Sequence, residues 1–373
     1  MNYLLHFYDL RKRAGIQRAI CELANALVEH GDEVVIATHS TRSEAAFRLD
    51  DRVVFEQTPY LGPQRFGFLA WPMRAIWGIK QAWVLRKIIK RYRLHLVVDH
   101  GTGLGLIYPF RTLGGSPFVM QRHFPARQFP FGKVLYRSLS PICGRKTVVV
   151  LTEDIAEELR SFGYKRVVVI PNVSAADAKP APYRDAVPLT GLLMGRGKTR
   201  AKGFDIFLQA LAMTKMPGWQ FTIVGPEVDT DPQLQELVRK HQLTKRVSLL
   251  PSTDLPFELI RKAACVIMPS RYEGMGLVAL EALSIGRPVV ASDANGLRNF
   301  VINDFNGLMF PCGNVDKLSD CLARVRDDSA LLETLAEHAP ASVEYFKGRC
   351  VSETWGALAK QLTNKESDGG LCS

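Results

Sequence analysis

The amino-acid sequence predicts an α/β protein built from two doubly wound, Rossmann-like domains. Three observations carry that expectation. At 373 residues the chain is too long for one ordinary core and comfortable for two of about 170 to 190 residues each. Short apolar runs rich in Val and Ile alternate along it with segments of helical periodicity, the mark of a parallel sheet. A stretch with no apolar period, Ser174 to Pro188 (SAADAKPAPYRDAVP), divides the alternation into two series and reads as an interdomain linker. The expected domains are 1–175 and 187–341.

The elements follow in order. Leu4 to Tyr8 is a strand, and Asp9 to Gly15 is a basic loop. Ile16 to His30 has helical periodicity, with Ile16, Ile20, Leu23 and Leu27 on one face. Gly31-Asp32 ends that helix, and Glu33 to Ala37 is the next strand. Further strands are predicted at 94–98, 117–120, 146–151 and 166–170. Between the last two lies an amphipathic helix, Glu153 to Phe162, with Thr152 expected to cap it and Gly163 to end it. The second series places strands at 189–194, 220–224, 247–250, 265–268 and 288–291. Two such domains are expected to leave a cleft at the C-terminal ends of their strands, where ligands bind in sheets of this kind.

Composition narrows the function. No apolar run reaches the ~18 residues a membrane span needs. Met1 to Tyr8 lacks the basic start and long apolar stretch of a signal peptide, so a cytoplasmic protein is expected. The seven cysteines are odd in number and form no C-x-x-C pair, which argues against a disulfide framework or a zinc site. The net charge of +11 lies wholly in the first 186 residues, which hold 27 Lys and Arg against 16 Asp and Glu. Gln57 to Val98 contains no acid. It carries Arg65, Arg74, Lys80, Arg86, Lys87, Lys90, Arg91 and Arg93 with Trp71, Trp77, Trp83, Phe66 and Phe68. Cations mixed with interfacial aromatics suit an anionic membrane, at about 1 kcal/mol per cation near its surface. Peripheral membrane contact through 57–98 is therefore expected. The plainer alternative is a sheet-covering helix with cations towards its C-terminus. No nucleic-acid-binding module is recognisable, so no nucleic-acid partner is expected.

Three glycine or acid motifs resolve into ordinary structure. Gly191 to Thr199 resembles a phosphate loop, but five residues separate Gly191 from Gly197 where four are needed. Gly101-Thr-Gly103-Leu-Gly105 lacks the third glycine of a dinucleotide fingerprint and follows a late strand. Asp229-Thr230-Asp231 precedes Pro232 and a helical stretch, where a cap fits better than a metal site.

The informative segment is Ser270-Arg-Tyr-Glu273-Gly274-Met275-Gly276-Leu277-Val-Ala-Leu-Glu281, followed by Ala-Leu-Ser-Ile-Gly286-Arg-Pro288. A strand leads into a Gly-rich turn, and a helix starts near Gly276 or Leu277 and runs to about Ile285. The free N–H groups of such a helix start make a seat for a diphosphate, and the glycines let backbone come close. Glu273 stands before the turn, and Glu281 lies eight residues later, where a carboxylate suits vicinal sugar hydroxyls. A βα unit with solvated glutamates would read the same way by physics alone.

This segment resembles the E-x7-E signature of retaining GT-B glycosyltransferases of family 4. Other segments match that family in order: Ala14-Gly15 with Gln17-Arg18; Ile170-Pro171-Asn172-Val173; Gly195-Arg196 with Lys202-Gly203-Phe204-Asp205; and Asn306-Gly307-Leu308 with Pro311. The resemblance spans roughly residues 2 to 360. It implies the GT-B fold, two Rossmann-like domains facing across a cleft, with a C-terminal helix near 342–362 packing back onto the first. It implies transfer of a hexose or N-acetylhexosamine from a nucleotide diphosphate sugar, UDP first among the bases, with retention of configuration. The acceptor would be a lipid-linked or membrane-borne glycan, as in surface polysaccharide or lipopolysaccharide synthesis. No metal and no cofactor are expected.

The resemblance also implies roles. Arg196 and Lys202 would clamp the diphosphate and neutralise the leaving nucleotide. Gly15 would let the first loop approach it, and Gly274, Met275, Gly276 and Leu277 would offer backbone N–H groups. Glu281 would hold the ribose and Glu273 the donor sugar. His123 matches the family's histidine near the reaction centre; His100 is a second candidate only because it also follows a strand. The chain departs from the family in having Ala14 in place of a glycine, a longer Arg196–Lys202 loop, and no glycine after Asn172. Two rival functions share parts of this pattern: a UDP-sugar epimerase of the same fold, and a non-enzymatic two-domain sugar-binding protein.

Overall fold

The computed structural model describes residues 1–58, 83–100, 116–125, 133–134, 136–138, 146–174, 178–198, 200–328 and 330–368. The chain divides into two compact units. Unit 1 comprises Met1–Val173 with Gly348–Ser373, and unit 2 comprises Ser174–Lys347.

Unit 1 is built on a seven-stranded parallel sheet in the order β3-β2-β1-β4-β5-β6-β7. Its strands are β1 (Asn2–His6), β2 (Glu33–Thr38), β3 (Val54–Gln57), β4 (Leu96–Asp99), β5 (Phe118–Arg122), β6 (Thr147–Val150) and β7 (Arg166–Val169). β4 returns to the far side of β1, so the strand order reverses there and makes a topological switch point. Helix α1 (Gly15–Glu29) lays Ile20, Leu23 and Leu27 against β1 and β2. Helix α2 (Glu153–Ser161) packs Ile155, Ala156 and Leu159 on β6. Thr152 stands at the N-cap of α2, but its hydroxyl makes no capping bond, contrary to expectation. That oxygen is buried, and Glu153 and Asp154 supply the negative charge of the first turn instead. Gly163, at φ +97°, ends the helix in the left-handed region as expected.

Unit 2 is a six-stranded parallel sheet in the order β10-β9-β8-β11-β12-β13. Its strands are β8 (Thr190–Met194), β9 (Gln220–Val224), β10 (Val247–Leu250), β11 (Cys265–Met268), β12 (Val289–Ser292) and β13 (Gly307–Phe310). The helices are α3 (Phe204–Met213), α4 (Pro232–Lys240), α5 (Pro256–Lys262), α6 (Leu277–Ile285), α7 (Val315–Asp327) and α8 (Leu331–Ser342). Its core gathers Phe207, Phe221, Ile223, Ile267 and Leu322. Full burial of each such side chain contributes about 1.5–3 kcal/mol. Helix α9 (Gly348–Asp368) then joins unit 1, where Val351, Trp355 and Leu358 enter the core beside α1. Gly348 allows that approach, since a Cβ there would lie 3.0 Å from the Cβ of Ala26.

The sequence pattern predicts neither of two edge strands, β3 and β13. Each is four residues long, and β3 mixes Glu and Gln with its apolar residues. The Pro- and Ala-rich segment also differs from a free linker. Ala181 N–H donates to the Ile285 carbonyl and Val187 N–H to that of Lys262. The fully buried Arg287 guanidinium donates to the carbonyls of Ala181, Pro182, Gly286 and Arg261. A planar fork with five donors can tie down that many carbonyls, so the segment is strapped to unit 2.

Candidate functional site

In unit 2 the motif residues gather at the C-terminal ends of β8, β9 and β11, around the point where the strand order reverses. Lys202 Nζ donates to Glu273 Oε1 at 2.8 Å, and Ser270 Oγ donates to the same oxygen at 2.7 Å. The Glu273 side chain is 9% exposed and that of Lys202 25%. Arg271 makes this meeting possible. Its guanidinium forms a fork with Asp205, 2.7 Å to each carboxylate oxygen, and also donates to the Arg200 carbonyl. Its own N–H donates to the Ala201 carbonyl. The loop bearing Lys202 is thereby fastened to the loop bearing Glu273. Burial acts to raise the Asp205 carboxyl, but hydrogen bonds from Arg271 outweigh it and hold it below the ordinary range.

Glycines set the spacing of these loops. A Cβ on Gly195 would meet Lys202 Cγ at 2.8 Å, so the lysine stem runs across that glycine. Gly225 packs on Gly195 and Gly197 on the Glu227 backbone, at separations no Cβ could share. Gly276 precedes α6 at φ +82°, a conformation that favours glycine. No side chain caps α6, and its first turn carries no acid. Gly274, Met275 and Gly276 are buried and Leu277 is half-buried. Glu281 lies in α6 and is 1% exposed.

Arg196 reaches out from the same loop, 52% exposed, and pairs with Glu227 at 3.3 Å. Lys198 Nζ lies 3.7 Å from the same carboxylate. Asp231 caps α4, accepting from Gln233 N and Leu234 N, and its other oxygen accepts from Lys198 N at 2.6 Å. The D-x-D pattern is thus a cap that also anchors the Arg196 loop. Among the described residues no three His, Cys, Asp or Glu gather as a metal site.

In unit 1 a second polar group lies at the sheet's switch point. His6 and Asp99 are register partners of β1 and β4, and His6 Nδ1 is 3.0 Å from Asp99 Oδ1. His100 N–H donates to the His6 carbonyl. The His100 Nδ1 lies 3.2 Å from His123 Nε2, just past β5. All four side chains are buried. Burial, and then the neighbouring Arg122, push His123 down to about 4. Burial, then His123 and His6, hold His100 well below the usual histidine value. Both imidazoles are therefore neutral at pH 7. Gly15 is exposed at the start of α1, which has neither a side-chain cap nor an acid in its first turn.

Two family models match the chain in tandem. Residues 13–173 match Glycosyltransferase Family 4, and residues 189–342 match Glycosyl transferases group 1. The chain is a glycosyltransferase of the family 4 type.

Similar proteins agree with that membership. The alpha-D-kanosaminyltransferase of Streptomyces kanamyceticus is 28% identical over 69% of this chain and 75% of its own length. The lipopolysaccharide core biosynthesis glycosyltransferase LpsD of Rhizobium meliloti is 30% identical over 51% of this chain and 56% of its own. Among solved structures, Anabaena Alr3699/HepE in complex with UDP and glucose superposes with a TM-score of 0.79 at 18% identity. That match covers 97% of this chain and 100% of the other, and it shows the GT-B fold.

Of the residues predicted for this glycosyltransferase, Lys202 and Glu273 touch, and Gly274 to Leu277 carry the same loop into α6. Arg196 shares their loop cluster but points to Glu227. Gly15 and His123 belong to unit 1. Sequence reasoning assigned no role to Arg271, Asp205, Ser270 or Glu227. The first three lie inside quoted motifs, while nothing in the pattern around Glu227 marks it. The second glycine motif, 101–105, lies outside the described residues, as do Arg65, Phe66, Phe68, Trp71, Arg74, Trp77 and Lys80. The described part of the basic stretch includes a helix over 83–92. Leu85, Ile88 and Ile89 pack it onto the sheet. Arg86, Lys87, Lys90 and Arg91 are exposed, and Lys87 Nζ sits 3.4 Å over the ring of the 60%-exposed Trp83. No helix among the described residues is long and apolar enough to cross a membrane.

Proposed function

We propose that the enzyme moves a hexose or N-acetylhexosamine from a UDP-sugar to a membrane-linked glycan, with retention of anomeric configuration and without a metal. The observation that carries this reading is the Lys202–Glu273 pair beside the uncapped start of α6. A nucleotide diphosphate gathers negative charge as the bond from its oxygen to the sugar's anomeric carbon breaks and takes the electron pair. Lys202, Arg196 and the N–H groups at the start of α6 would neutralise that charge, and preorganised donors of this kind usually contribute more to such catalysis than any other single effect. Glu273, held by Lys202 and Ser270, keeps an oxygen for the donor sugar's hydroxyls, and Glu281 would take the ribose. His123 would serve near the reaction centre, and Gly15 would admit the diphosphate to the start of α1. UDP stands first because the similarly folded HepE holds UDP and glucose. A saccharide on a lipid or in a lipopolysaccharide core stands first as acceptor because of the relative LpsD. The basic face of 83–92 with Trp83 supports peripheral contact with an anionic membrane, which would place the enzyme on the inner face of the cytoplasmic membrane.

Thermal unfolding with UDP, GDP and ADP, each with and without EDTA, tests the donor site. A ligand at 100 times its dissociation constant adds about 2.7 kcal/mol to the folded state. Stabilisation by UDP, unchanged by EDTA and weakened in Glu281→Ala, is the expected result. No stabilisation by any of the three at millimolar concentration overturns the reading. An isomeric UDP-sugar formed with no acceptor present would replace transfer by epimerisation.

A further inference from the structure

The histidine pair of unit 1 has a feature that bears on how His123 is set. The His100 and His123 ring centroids are 5.4 Å apart, with planes 23° from parallel. Their nearest nitrogens, His100 Nδ1 and His123 Nε2, are 3.2 Å apart. The rings therefore meet through their edges, as hydrogen-bonded rings do, and not over their faces. One nitrogen must carry the proton and the other a lone pair.

The surroundings of His100 decide between the two arrangements. His100 is 1% exposed, and its Nε2 is buried with no hydrogen-bond partner among the described residues. If His123 donated, the proton of neutral His100 would sit on Nε2, leaving a buried N–H with no acceptor. If His100 donates from Nδ1, Nε2 keeps only a bare lone pair. Buried N–H groups without acceptors are rarer and costlier than unfilled lone pairs. The backbone bond from His100 N–H to the His6 carbonyl, at 3.0 Å, holds the residue at the end of β4.

We infer that His100 is a positioning residue that fixes His123 as the tautomer protonated on Nδ1, with Nε2 accepting from His100. His123 then offers one defined group outward, an N–H at Nδ1, in place of a mixture of donor and acceptor. This deepens the reading of His123 as a residue of the reaction centre and rests on it for its purpose. The tautomer itself is a property of unit 1 alone.

The experiment is nitrogen-15 NMR of the full chain labelled at histidine, at pH 7, with the His123 signals assigned from His123→Gln. The expected spectrum shows His123 with a protonated Nδ1 and a bare Nε2. In His100→Asn, an amide N–H replaces the ring N–H near the same place, and the His123 pattern stays. In His100→Leu the donor is gone, and His123 shifts towards the Nε2-protonated form that free imidazole side chains favour. The unchanged signals of the other histidines report that the variant is folded. A wild-type His123 protonated on Nε2 overturns the inference without any variant, and so does a tautomer that His100→Leu leaves alone. In a transfer assay, His100→Leu should lower kcat about tenfold with the donor KM unchanged, and His100→Asn should restore it. Failure of the assay with the expected spectrum removes the role in transfer and leaves the tautomer standing. The opposite result does the reverse.

Discussion

The two units place their polar groups at equivalent points, the switch point of a parallel sheet, yet charge them in opposite ways. Unit 1 gathers buried imidazoles, and His100 and His123 are neutral at pH 7. Unit 2 gathers ion pairs that water can partly reach, Lys202–Glu273, Arg196–Glu227 and Arg271–Asp205. Neutral, buried rings suit short-range hydrogen bonding to a substrate and ignore salt. Partly exposed cations suit an anion that must enter and leave, since Glu273 and Glu227 could hand theirs over. In the proposed reaction the same fold principle would yield one centre that orients and one that neutralises.

The largest effect should come from removing the cation at the centre of unit 2. Lys202→Ala leaves Glu273 with Ser270 as its remaining partner and, in the proposed reaction, would take a donor from the developing charge on the diphosphate. By analogy with other preorganised donors, kcat should fall about 10²- to 10³-fold, or ~3–4 kcal/mol. Steady-state kinetics with a saturating acceptor measures this. A loss under threefold would strike Lys202 from the catalytic set.

The next effect separates the units by pH. His123 is pushed from 6.5 to about 4 in the folded chain, mainly by burial. The unfolded state therefore binds the proton at a higher pH than the folded one. Its contribution to stability is intact above pH 6.5 and is lost as pH falls towards 4, by ~3 kcal/mol in all. Asp205 is also lowered, but from a more acidic starting value and for a different reason: the Arg271 bonds outweigh burial. Its stabilising contribution is present above the ordinary Asp value of 3.8 and is lost only below that. Acid should thus unfold unit 1 before unit 2. Urea unfolding at pH 7 and pH 5, followed by hydrogen exchange resolved along the chain, would show which unit opens first. Loss of unit 2 first would reverse the comparison.

A smaller effect, on both stability and binding, is expected at Gly276. The residue sits at φ +82°, and a Cβ there would lie 2.4 Å from Leu297 Cδ2. Gly276→Ala should cost ~1–2 kcal/mol, the usual penalty for a side chain in the left-handed region. The start of α6 would also move, so UDP should bind several-fold more weakly by calorimetry. Equal affinity would mean that the α6 N-terminus does not touch the diphosphate.

The difference between the units also governs what could be read without coordinates. Unit 2 was legible because its functional residues follow strands within short motifs, so neighbours in sequence are neighbours in space. The turn at Glu273–Gly276 and the helix from Leu277 to Ile285 were visible in that way. The polar group of unit 1 was visible only in part. His123 and His100 were noticed singly, while the bond between them and the His6–Asp99 pair join strands 23 and 93 residues apart. Which strands are adjacent is a property of the sheet order, and no local spacing encodes it. Glu227 was hidden for the same reason, since it meets Arg196 across 31 residues. Edge strands β3 and β13 were missed because four residues, paired on one side only, need little of the apolar alternation that marks a strand.

The smallest effect tests whether unit 2 depends on geometry beyond charge. Arg271 and Asp205 are each 24% exposed, so their attraction alone is worth little, about 0–1 kcal/mol. What the fork adds is direction: two parallel bonds to Asp205 and a third to the Arg200 carbonyl fix the Lys202 loop against the Glu273 loop. Lysine keeps the charge but lacks the planar fork. Arg271→Lys should therefore lower the thermal midpoint only slightly. UDP affinity should still fall three- to tenfold, because Lys202 and Glu273 lose their shared register. If affinity falls no further than stability does, the fork is ordinary surface pairing. If affinity falls while stability holds, the ion pairs of unit 2 act as a scaffold for the donor site, as the imidazole pair does for His123 in unit 1.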